Sequence, residues 1–361
     1  MVPDPIRVLI ADDSRIFRGF LEDAFAEIPN VVVAGSVFNG EKAIELLKKT
    51  PVDLVTLDIE MPGMDGLETL RVIRELNRIR SNGPPIESLL ISSLTTRGAR
   101  CTVEGLQLGA IDFILKPNGA IPTDNQASLK KQLIAKLEIF KHKRIGGCQA
   151  VRDHPSHSSR VNNSAVGQFK AIAIGISTGG PETLVQLLPE IAGRIGVPIF
   201  IVQHNLNGLS GYMAESLTRR LGCSVLEAQE NMEVRSDGIY LAKSGSHMVL
   251  RHLNGKVMIG LSDGPPENHS RPAVDVFLRS AAAIYGASLI SAIMTGMLND
   301  GANGVRAVKR AGGFVIAQDQ TSSIVWGMPR AAIETGVVDL VIPLDKFAST
   351  FFELVQGKRQ A

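Results

Sequence analysis

Polar side chains with complementary chemistry follow four apolar runs in the first third of the chain. The pair Asp12-Asp13 ends the first run, and Asp58 follows the run VTL. Ser92 and Lys116 stand at the ends of two later runs. Parallel strands present their carboxyl ends at one edge of a sheet, so these groups can converge there. Converging carboxylates need a cation, for which oxygen ligands favour Mg²⁺, while an ammonium can pair with a carboxylate or a phosphate.

Each of these residues also has a simpler interpretation. Asp12 or Asp13 could cap the helix that follows. Asp58 could be a turn residue in DIEMPGMDG, and Lys116 taken alone could be a solvated lysine. The conjunction of an acid pair, a single acid, a hydroxyl and a lysine at four strand ends favours a site that holds a phosphoryl group.

A serine, a histidine and an acid occupy comparable positions in the second half of the chain. Ser177 ends the run AIAIGI within GISTG, which fits the nucleophile-elbow pattern G-x-S-x-G. A serine hydroxyl is a weak nucleophile and needs a base that is itself oriented by a third group. His204 follows the run IFIVQ, and Asp300 lies in TGMLNDG. The three side chains are therefore a candidate catalytic triad at the edge of a second parallel sheet.

The same residues allow other functions. The segment STGG could bind a phosphate as a glycine-rich turn, or simply connect a strand to a helix. A nucleotide-binding switch is disfavoured because no acid stands about 20 residues further on. His204 could be a structural histidine, and Asp300 could belong to an Asp-Gly turn. The order Ser, His, Asp differs from that of α/β-hydrolases, which disfavours the lipase fold but not the chemistry.

Apolar runs alternate with amphipathic segments between residues 6 and 141. Strict alternation of strands and helices indicates a parallel sheet that is covered on both faces. The predicted strands are Ile6–Ala11, Val31–Val37, Asp53–Leu57, Ser88–Ile91 and Phe113–Leu115. The predicted helices are Ile16–Ile28, Glu41–Lys48, Leu67–Ile79, Arg97–Leu108 and Ser128–Phe140.

A second α/β pattern begins near residue 169, after a polar stretch. Residues 143–168 lack apolar periodicity, which predicts a flexible linker, and its histidines His154 and His157 lack further ligands at metal spacing. Asn254-Gly255 between two short apolar runs predicts a β-hairpin with a type I′ turn. We expect domains over 1–125 and 169–357, joined by a helix and linker over 126–168. The predicted strands are Ala171–Ile176, Val197–Val202, Ala287–Met294 and Gly313–Ala317.

Composition disfavours several classes of protein. A hydrophobic content of 44% with 20% charged residues excludes global disorder. The net charge of +2 gives no reason to expect nucleic acid or an anionic membrane as a partner. Three widely spaced cysteines fit a reducing cytoplasm better than a disulfide framework or a metal cluster. Without a signal segment or an apolar run long enough to span a bilayer, we expect a cytoplasmic protein that does not insert into membranes.

The first half resembles the response-regulator receiver domain through LIADDS, LDIEMPGMDG, ISSLT and GAIDFILKP. The resemblance covers residues 6 to about 125 and implies a flavodoxin-like fold. It also implies phosphorylation of Asp58 by a chemotaxis-type histidine kinase. Such a switch works because the phosphoryl group adds negative charge, and this charge favours one of two conformations of the domain.

The same resemblance implies roles for the residues around Asp58. Mg²⁺ would be bound by Asp12 or Asp13, by Asp58 and by the backbone carbonyl of Glu60. An aromatic side chain near the end of the sheet would repack when the switch operates. The phosphoryl-contacting and switch residues that it implies are Ser92, Lys116 and Phe113.

The second half resembles the catalytic domain of CheB-type protein-glutamate methylesterases through IGISTGG, VQHN, DGPPENHSRPAVDV, MTGMLNDGANG and GMPRAAI. The resemblance covers residues 170 to about 350. It implies Ser177 as nucleophile, His204 as general base and acid, and Asp300 as the carboxylate that orients the imidazole. The backbone amides of Thr178 and Met297 are the implied oxyanion donors.

The substrate that this resemblance implies is a γ-methyl glutamate on the cytoplasmic helices of a methylated chemoreceptor, which links the protein to adaptation. Deamidation of receptor glutamines is the same acyl transfer with ammonia as leaving group. No cofactor is implied for this half. Three departures from the family pattern, at Asn205, Lys243 and Leu298, bear on the rim of the site and so on substrate preference rather than on the reaction.

The two halves together predict an α/β protein with two doubly wound parallel-sheet domains. The first is a flavodoxin-like receiver, and the second is a three-layer α/β/α esterase domain with a β-hairpin. Our hypothesis is that the unphosphorylated receiver blocks the Ser177 cleft and that phosphorylation opens it. The main rival is a receiver-controlled binding or adaptor module with a catalytically inactive second domain, which has no reason to keep the Ser177, His204 and Asp300 set. A DNA-binding output domain is disfavoured because no basic helical module is present.

Overall fold

The chain folds into two compact units, Met1–Arg144 and Ile145–Ala361. The computed structural model describes residues 4–80, 83–93, 95–116, 129–137, 140–141, 169–204 and 208–356. Each unit has its own parallel sheet and its own hydrophobic core. The predicted linker, residues 143–168 with His154 and His157, lies outside the described residues, so the predicted domain limits stay predictions.

Five parallel strands form the sheet of the first unit: β1 (Ile6–Ala11), β2 (Val31–Val37), β3 (Leu54–Asp58), β4 (Glu87–Ser92) and β5 (Asp112–Leu115). Their order in the sheet is β2-β1-β3-β4-β5. β3 and β4 are buried along their whole length, as expected for strands that are covered on both faces. The order 2-1-3-4-5 is that of the flavodoxin-like fold, so this prediction is confirmed.

Helices with clear capping signals alternate with these strands. They are α1 (Arg15–Ala26), α2 (Gly40–Leu47), α3 (Gly66–Ile79), α4 (Thr96–Gln107) and α5, residues 129–137. The Ser14 hydroxyl caps α1 by accepting from Phe17 N, and Asp65 and Glu68 form a reciprocal capping box at the start of α3. Such caps satisfy amide donors that have no partner within the helix, which fixes where each helix begins.

The parallel register brings the polar residues of the first unit to one edge of its sheet. Asp58 is the last residue of β3, and Ser92 is the last residue of β4. Asp12 and Lys116 directly follow β1 and β5. The predicted convergence of these four residues at strand ends is therefore confirmed.

Seven parallel strands form the main sheet of the second unit: β6 (Ala171–Ile176), β7 (Ile199–Gln203), β8 (Val225–Glu227), β10 (Ile239–Leu241), β13 (Leu289–Ile293), β14 (Phe314–Gln318) and β15 (Leu340–Ile342). Their order in the sheet is β15-β14-β13-β6-β7-β10-β8. Each of the four predicted strands has its counterpart here, whereas β8, β10 and β15 were not predicted, because three residues are too few to establish a period.

A small antiparallel sheet contains the predicted hairpin. β11 (His247–Leu253) pairs with β12 (Lys256–Ser262), and the two-residue β9 (Met232–Glu233) pairs with β12. The turn residues Asn254 and Gly255 have φ values of 52° and 76°. Positive φ at both positions is what a type I′ turn requires, so the hairpin is confirmed.

Helices accompany the large sheet of the second unit. They are α6 (Gly180–Ile191), α7 (Ser210–Leu221), α8 (Val274–Tyr285), α9 (Ala302–Arg310), α10 (Met328–Glu334) and α11 (Phe347–Gln356). Of these, α8 contributes to an aromatic cluster in the core. The ring of Phe200 lies 5.5 Å from that of Tyr240 and 5.4 Å from that of Phe277. Among the described residues of both units, no helix has the length and apolar character needed to cross a bilayer.

Candidate functional site

The acidic pocket of the first unit is built around one lysine. Lys116 Nζ lies 2.7 Å from Asp58 Oδ2 and 2.9 Å from Asp12 Oδ2. Asp12 Oδ1 accepts a hydrogen bond from Ser14 N at 2.9 Å, which ties the pocket to the start of α1. Carboxylate oxygens of Asp12, Asp13 and Asp58 lie within 4.8 Å of one another. Hard oxygen donors at this spacing fit the ligand preferences of Mg²⁺.

Burial and mutual repulsion disfavour the charged forms of these carboxylates. Burial, followed by the charge of Asp12, raises the pKa of Asp58 to about 6 despite the ion pair with Lys116. Burial also raises the pKa of Asp12. Desolvation on its own lowers the pKa of Lys116, but the two neighbouring carboxylates outweigh it and the pKa is raised. The pocket therefore holds more buried negative than positive charge, which a bound cation would stabilise.

Three more residues with roles implied by the receiver resemblance lie on β4, on β5 and shortly after β3. The buried Ser92 hydroxyl accepts a hydrogen bond from Thr102 Oγ1 of α4 at 2.6 Å, which holds it toward that helix. Phe113 is buried within β5. Glu60 N donates to Asp58 Oδ1 at 3.4 Å, so the Glu60 peptide lies beside the pocket. The roles of these residues in phosphorylation stay predictions.

His204 and Asp300 form a buried pair in the second unit. His204 Nε2 lies 2.8 Å from Asp300 Oδ2, and only 4% and 2% of the two side chains are exposed. His204 directly follows β7, and Asp300 lies in the loop after β13. β7 and β13 are the two neighbours of β6 in the sheet. Because Nε2 faces the carboxylate, Nδ1 is the ring nitrogen that can take up a proton.

Hydrogen-bond donors around Asp300 favour its ionised form. Its carboxylate accepts from Val274 N at 2.7 Å, Asp275 N at 3.0 Å, Gly301 N at 2.9 Å and Asn268 Nδ2 at 2.9 Å. The first two amides begin α8, whose dipole is positive at this end. Burial alone would raise the pKa of Asp300, but the His204 imidazole and the backbone amides of Asp275 and Val274 outweigh burial and lower it. Asp300 is therefore a fixed anion beside the imidazole.

The main chain places Ser177 between the histidine and the loop that carries the acid. Ser177 N donates to Thr295 O at 2.9 Å, just beyond β13. Gln203 Nε2 donates to Ser177 O at 2.9 Å and to His204 O at 2.8 Å. A Cβ added to Gly296 would lie 2.8 Å from the Ser177 Cβ, so only glycine allows this approach. These contacts bring the three predicted residues to one edge of the sheet.

The Ser177 hydroxyl forms no hydrogen bond with His204 among the residues that the structure describes. His204 Nδ1 instead lies 3.4 Å from Ser270 Oγ. Catalytic hydrogen bonds are often long or poorly aligned until substrate binds. The structure therefore brings Ser177 beside the His204–Asp300 pair, while the contact that would transfer the proton is not made. The catalytic roles of these residues stay predictions.

The two predicted oxyanion amides belong to residues next to the Ser177 turn: Thr178 follows Ser177, and Met297 follows Gly296, which closely approaches the Ser177 Cβ. Within the described parts of the chain, the backbone amides of Thr178 and Met297 donate no backbone hydrogen bond. Thr295 Oγ1 donates to Thr178 O at 2.9 Å and accepts from Val325 N at 2.9 Å. Gln318 Oε1 accepts from Thr295 N at 2.8 Å and so holds this threonine in place. The network fixes the main chain on both sides of Ser177, and the oxyanion role of the two amides stays a prediction.

The turn after β6 differs from a strained nucleophile elbow. Gly179, with a φ of 80°, is the left-handed residue of the turn, whereas Ser177 does not have a positive φ. A Cβ added to Gly179 would lie 2.6 Å from Ile324 Cβ. An apolar side chain thus packs against the glycine-rich turn, which disfavours the alternative of a phosphate-binding loop.

Four residues that shape the site were not singled out from the sequence. Gln203 was taken as part of an apolar strand, although a polar residue at the end of IFIVQ could have indicated a role. Thr295 and the loop residues Asn268 and Ser270 gave no signal by spacing. Their roles depend on contacts between segments that are far apart in the sequence.

Of the three rim positions, two lie in the described residues. Lys243 is exposed, and Leu298 is 54% exposed with a φ of 65°. Asn205 lies outside the described residues. The effect of these positions on substrate preference stays a prediction.

Comparisons with known proteins cover nearly the whole chain. The family model of the CheB methylesterase matches residues 172–351, and that of the response regulator receiver domain matches residues 8–122. A protein-glutamate methylesterase/protein-glutamine glutaminase of Geobacillus kaustophilus is 36% identical over 97% of this chain and 99% of its own length. A protein of the same name from Pyrococcus abyssi is 37% identical over 97% of this chain and 94% of its own length.

A solved structure supports the match of the second unit to the methylesterase family. The Thermotoga maritima CheB methylesterase catalytic domain is 39% identical to this chain, with a TM-score of 0.50. The match covers 52% of this chain and 99% of that domain. Fold and sequence similarity together define a response regulator whose receiver domain precedes a hydrolase domain. The chain belongs to the CheB methylesterase family, as the sequence predicted.

Proposed function

We propose that the second unit hydrolyses γ-methyl esters of glutamate on the cytoplasmic helices of chemoreceptors, with Ser177, His204 and Asp300 as the catalytic residues. The observation that carries this proposal is the buried contact of 2.8 Å between His204 Nε2 and Asp300 Oδ2, with the main-chain carbonyls of Ser177 and His204 bridged by the Gln203 amide. A relative that shares nearly the full length of the chain carries the name of this activity.

The reaction follows from the chemistry of these groups. His204 Nδ1 removes the proton of Ser177 Oγ as the oxygen attacks the ester carbonyl, and Asp300 stabilises the resulting imidazolium. The imidazolium then gives its proton to the departing methoxide, so methanol leaves and an acyl-enzyme remains. Water, activated by the same imidazole, hydrolyses the acyl-enzyme to glutamate. With a glutamine substrate, ammonia leaves in place of methanol.

The backbone amides of Thr178 and Met297 are suited to stabilise the oxyanion. The negative charge that develops on the ester oxygen needs donors that are already oriented, and each such donor contributes about 10²–10³ in rate. Thr178 follows Ser177, Met297 follows Gly296, which approaches the Ser177 Cβ, and Thr295 and Gln318 hold the main chain there in place. No cofactor is required for this half of the protein.

The first unit would control this activity through phosphorylation of Asp58 by a chemotaxis-type histidine kinase in the cytoplasm. Asp12, Asp13, Asp58 and the carbonyl of Glu60 would hold Mg²⁺, which neutralises carboxylate and phosphoryl oxygens when bound. Lys116, already 2.7 Å from Asp58, would pair with the phosphoryl group. Ser92 would reach that group by turning away from α4, with Phe113 repacking as the switch.

Methanol release from methyl-labelled receptor membranes tests the proposed function. Wild type and Ser177→Ala are incubated with these membranes, each with and without a small-molecule phosphodonor and Mg²⁺. We expect release by wild type, an increase with the phosphodonor, and a loss of at least about 10³-fold in Ser177→Ala. No release by wild type under any condition would contradict hydrolysis and favour an adaptor, and an active Ser177→Ala variant would contradict the assigned nucleophile.

A further inference from the structure

A loop between β12 and α8, residues 265–273, contacts the His204–Asp300 pair. The buried His247 forms hydrogen bonds with both ends of this loop. His247 Nδ1 accepts from Ala273 N at 3.1 Å. Its Nε2 therefore carries the proton and donates to Pro265 O at 3.0 Å. One neutral imidazole thus joins the two ends of the loop and fixes their separation.

The tip of this loop is a two-residue turn, which we call the 267–270 turn. Glu267 and Ser270 exchange backbone hydrogen bonds of 3.0 and 3.1 Å, and Asn268 and His269 between them have φ values of 51° and 62°. Positive φ at both central positions defines a type I′ turn. The Glu267 carboxylate forms a two-pronged ion pair with Arg279 of α8, at 2.7 and 2.5 Å. The turn is therefore anchored to α8.

Two side chains of the 267–270 turn contact the His204–Asp300 pair. They contact Asp300 Oδ1 and His204 Nδ1, the two atoms that do not take part in the contact between His204 and Asp300. Asn268 Nδ2 lies 2.9 Å from Asp300 Oδ1 and 2.9 Å from Asp275 Oδ2. Ser270 Oγ lies 3.4 Å from His204 Nδ1. Because both neighbours of the Asn268 amide are carboxylates, its nitrogen must face them, with one N–H for each.

We propose that the 267–270 turn positions the catalytic pair, with Asn268 as the positioning residue of Asp300 and Ser270 as that of His204. This inference rests on the proposed function. By holding Oδ1, the Asn268 amide keeps Oδ2 turned toward the imidazole, and it stands between Asp300 and the buried carboxylate of Asp275. The Ser270 hydroxyl can donate to Nδ1 only in the tautomer with its proton on Nε2, and this tautomer accepts the proton of Ser177 once Ser270 has released that lone pair.

The neighbouring residue His269 provides a matched control. Asn268→Gly and His269→Gly each place glycine at a positive-φ position, so both relieve the same backbone strain. Only Asn268→Gly removes a donor from the pair, since the His269 side chain is exposed. Comparing the two variants in the full chain therefore separates loss of the amide from a change in the turn.

The experiment measures kcat and KM for methanol release from methylated receptor membranes. We expect Asn268→Gly to lower kcat about 10- to 100-fold with KM unchanged, because a hydrogen bond to a charged group is lost. His269→Gly should stay within about twofold of wild type in both constants. A second readout is the NMR signal of the His204 Nε2 proton, which should exchange faster with solvent in Asn268→Gly than in His269→Gly.

Equal kcat values in the two glycine variants would overturn the role of Asn268. Wild type and Ser177→Ala, assayed in parallel, distinguish this failure from failure of the proposed function, since only the latter leaves wild type without methanol release or Ser177→Ala active. If Asn268→Gly does not fold, Ser270→Ala decides the inference. We expect it to lower kcat about two- to fivefold at unchanged KM, and an unchanged kcat would then overturn the proposal.

Discussion

Asp58 and Asp300 are both buried aspartates at the edge of a parallel sheet, yet their pKa values shift in opposite directions. Burial and the neighbouring Asp12 raise the pKa of Asp58 to about 6, although Lys116 pairs with it. The pKa of Asp300 is lowered, because the His204 imidazole, together with the backbone amides of Asp275 and Val274, outweighs the effect of burial. Burial raises the pKa of both carboxylates, and the imidazole and amide donors around Asp300 reverse the direction there.

This difference corresponds to two kinds of site. The pocket around Asp58 has more carboxylate than positive charge to balance it, which suits a site that gains a cation and a phosphoryl group. The environment of Asp300 is complete without any ligand, which suits a permanent anion that orients an imidazole. The pocket around Asp58 is therefore suited to a change of charge, whereas the environment of Asp300 is suited to a constant negative charge.

The largest expected effect comes from neutralising the permanent anion. Asp300→Asn should lower kcat for ester hydrolysis about 10³–10⁴-fold, because the imidazole loses both its orientation and the charge that stabilises its protonated form. Methanol release from methylated receptor membranes measures this change. A loss of less than about tenfold would show that the contact with His204 is not catalytic.

The same substitution in the first unit should remove control instead of chemistry. Asp58→Asn cannot form the acyl phosphate, so we expect the response to a phosphodonor to disappear completely. The measurement is the ratio of methanol release with and without phosphodonor in the presence of Mg²⁺. If Asp58→Asn still responded as wild type does, another acceptor would have to be sought.

The two aspartates should also affect stability with opposite signs. The rise of the Asp58 pKa from 3.8 to about 6 corresponds to about 3 kcal/mol that the folded state loses as pH rises through this range. Asp58→Asn should therefore raise the free energy of unfolding of the first unit by about 1–3 kcal/mol at pH 8, with a smaller gain at pH 4. Asp300→Asn should lower that of the second unit by about 1–3 kcal/mol, because a backbone donor loses its acceptor.

Hydrogen exchange of buried amides in β3 and β6 reports the two units separately within the intact chain. The lowered pKa of Asp300 implies that its contribution to stability is present above its ordinary pKa and lost only as pH falls through the folded value. Destabilisation by both substitutions at pH 8 would show that Lys116 compensates the buried charge of Asp58 fully.

The smallest expected effect concerns backbone strain at the rim of the second site. Leu298 has a φ of 65° and is 54% exposed, two residues before Asp300. Leu298→Gly should raise the free energy of unfolding by up to about 1 kcal/mol, because glycine adopts this conformation without steric cost. Denaturant unfolding followed by hydrogen exchange in β13 measures the change, and destabilisation would mean that the leucine packs favourably there.

Much of the fold could be predicted because buried strands of a parallel sheet are continuous apolar runs, and polar or turn residues mark where each run ends. The limits of β1, β2 and β6 match the prediction residue for residue, and the Asn254-Gly255 turn is where its sequence places it. The three-residue strands β8, β10 and β15 could not be predicted, since their positions depend on pairing with neighbouring strands. Local sequence contains little information about such pairing.

The candidate sites were predicted at the level of residues but not of contacts. Strand ends located Asp58, Lys116, Ser177 and His204, because parallel strands share one edge. The sequence could not indicate that Nε2 of His204 faces Asp300, or that a turn 66 residues further along the chain places Ser270 at Nδ1. Such contacts arise from tertiary packing, which residue spacing does not encode.

The most direct test of the proposed catalytic site is to identify the serine that becomes covalently modified. A glutamyl peptide with an activated phosphonate ester in place of the γ-methyl ester should phosphonylate the serine that His204 activates. Mass spectrometry of the digested protein then locates the adduct. We expect it on Ser177 and expect none in His204→Ala. An adduct on Ser270, the serine nearest to Nδ1 among the contacts described above, would contradict the assignment of Ser177 as nucleophile.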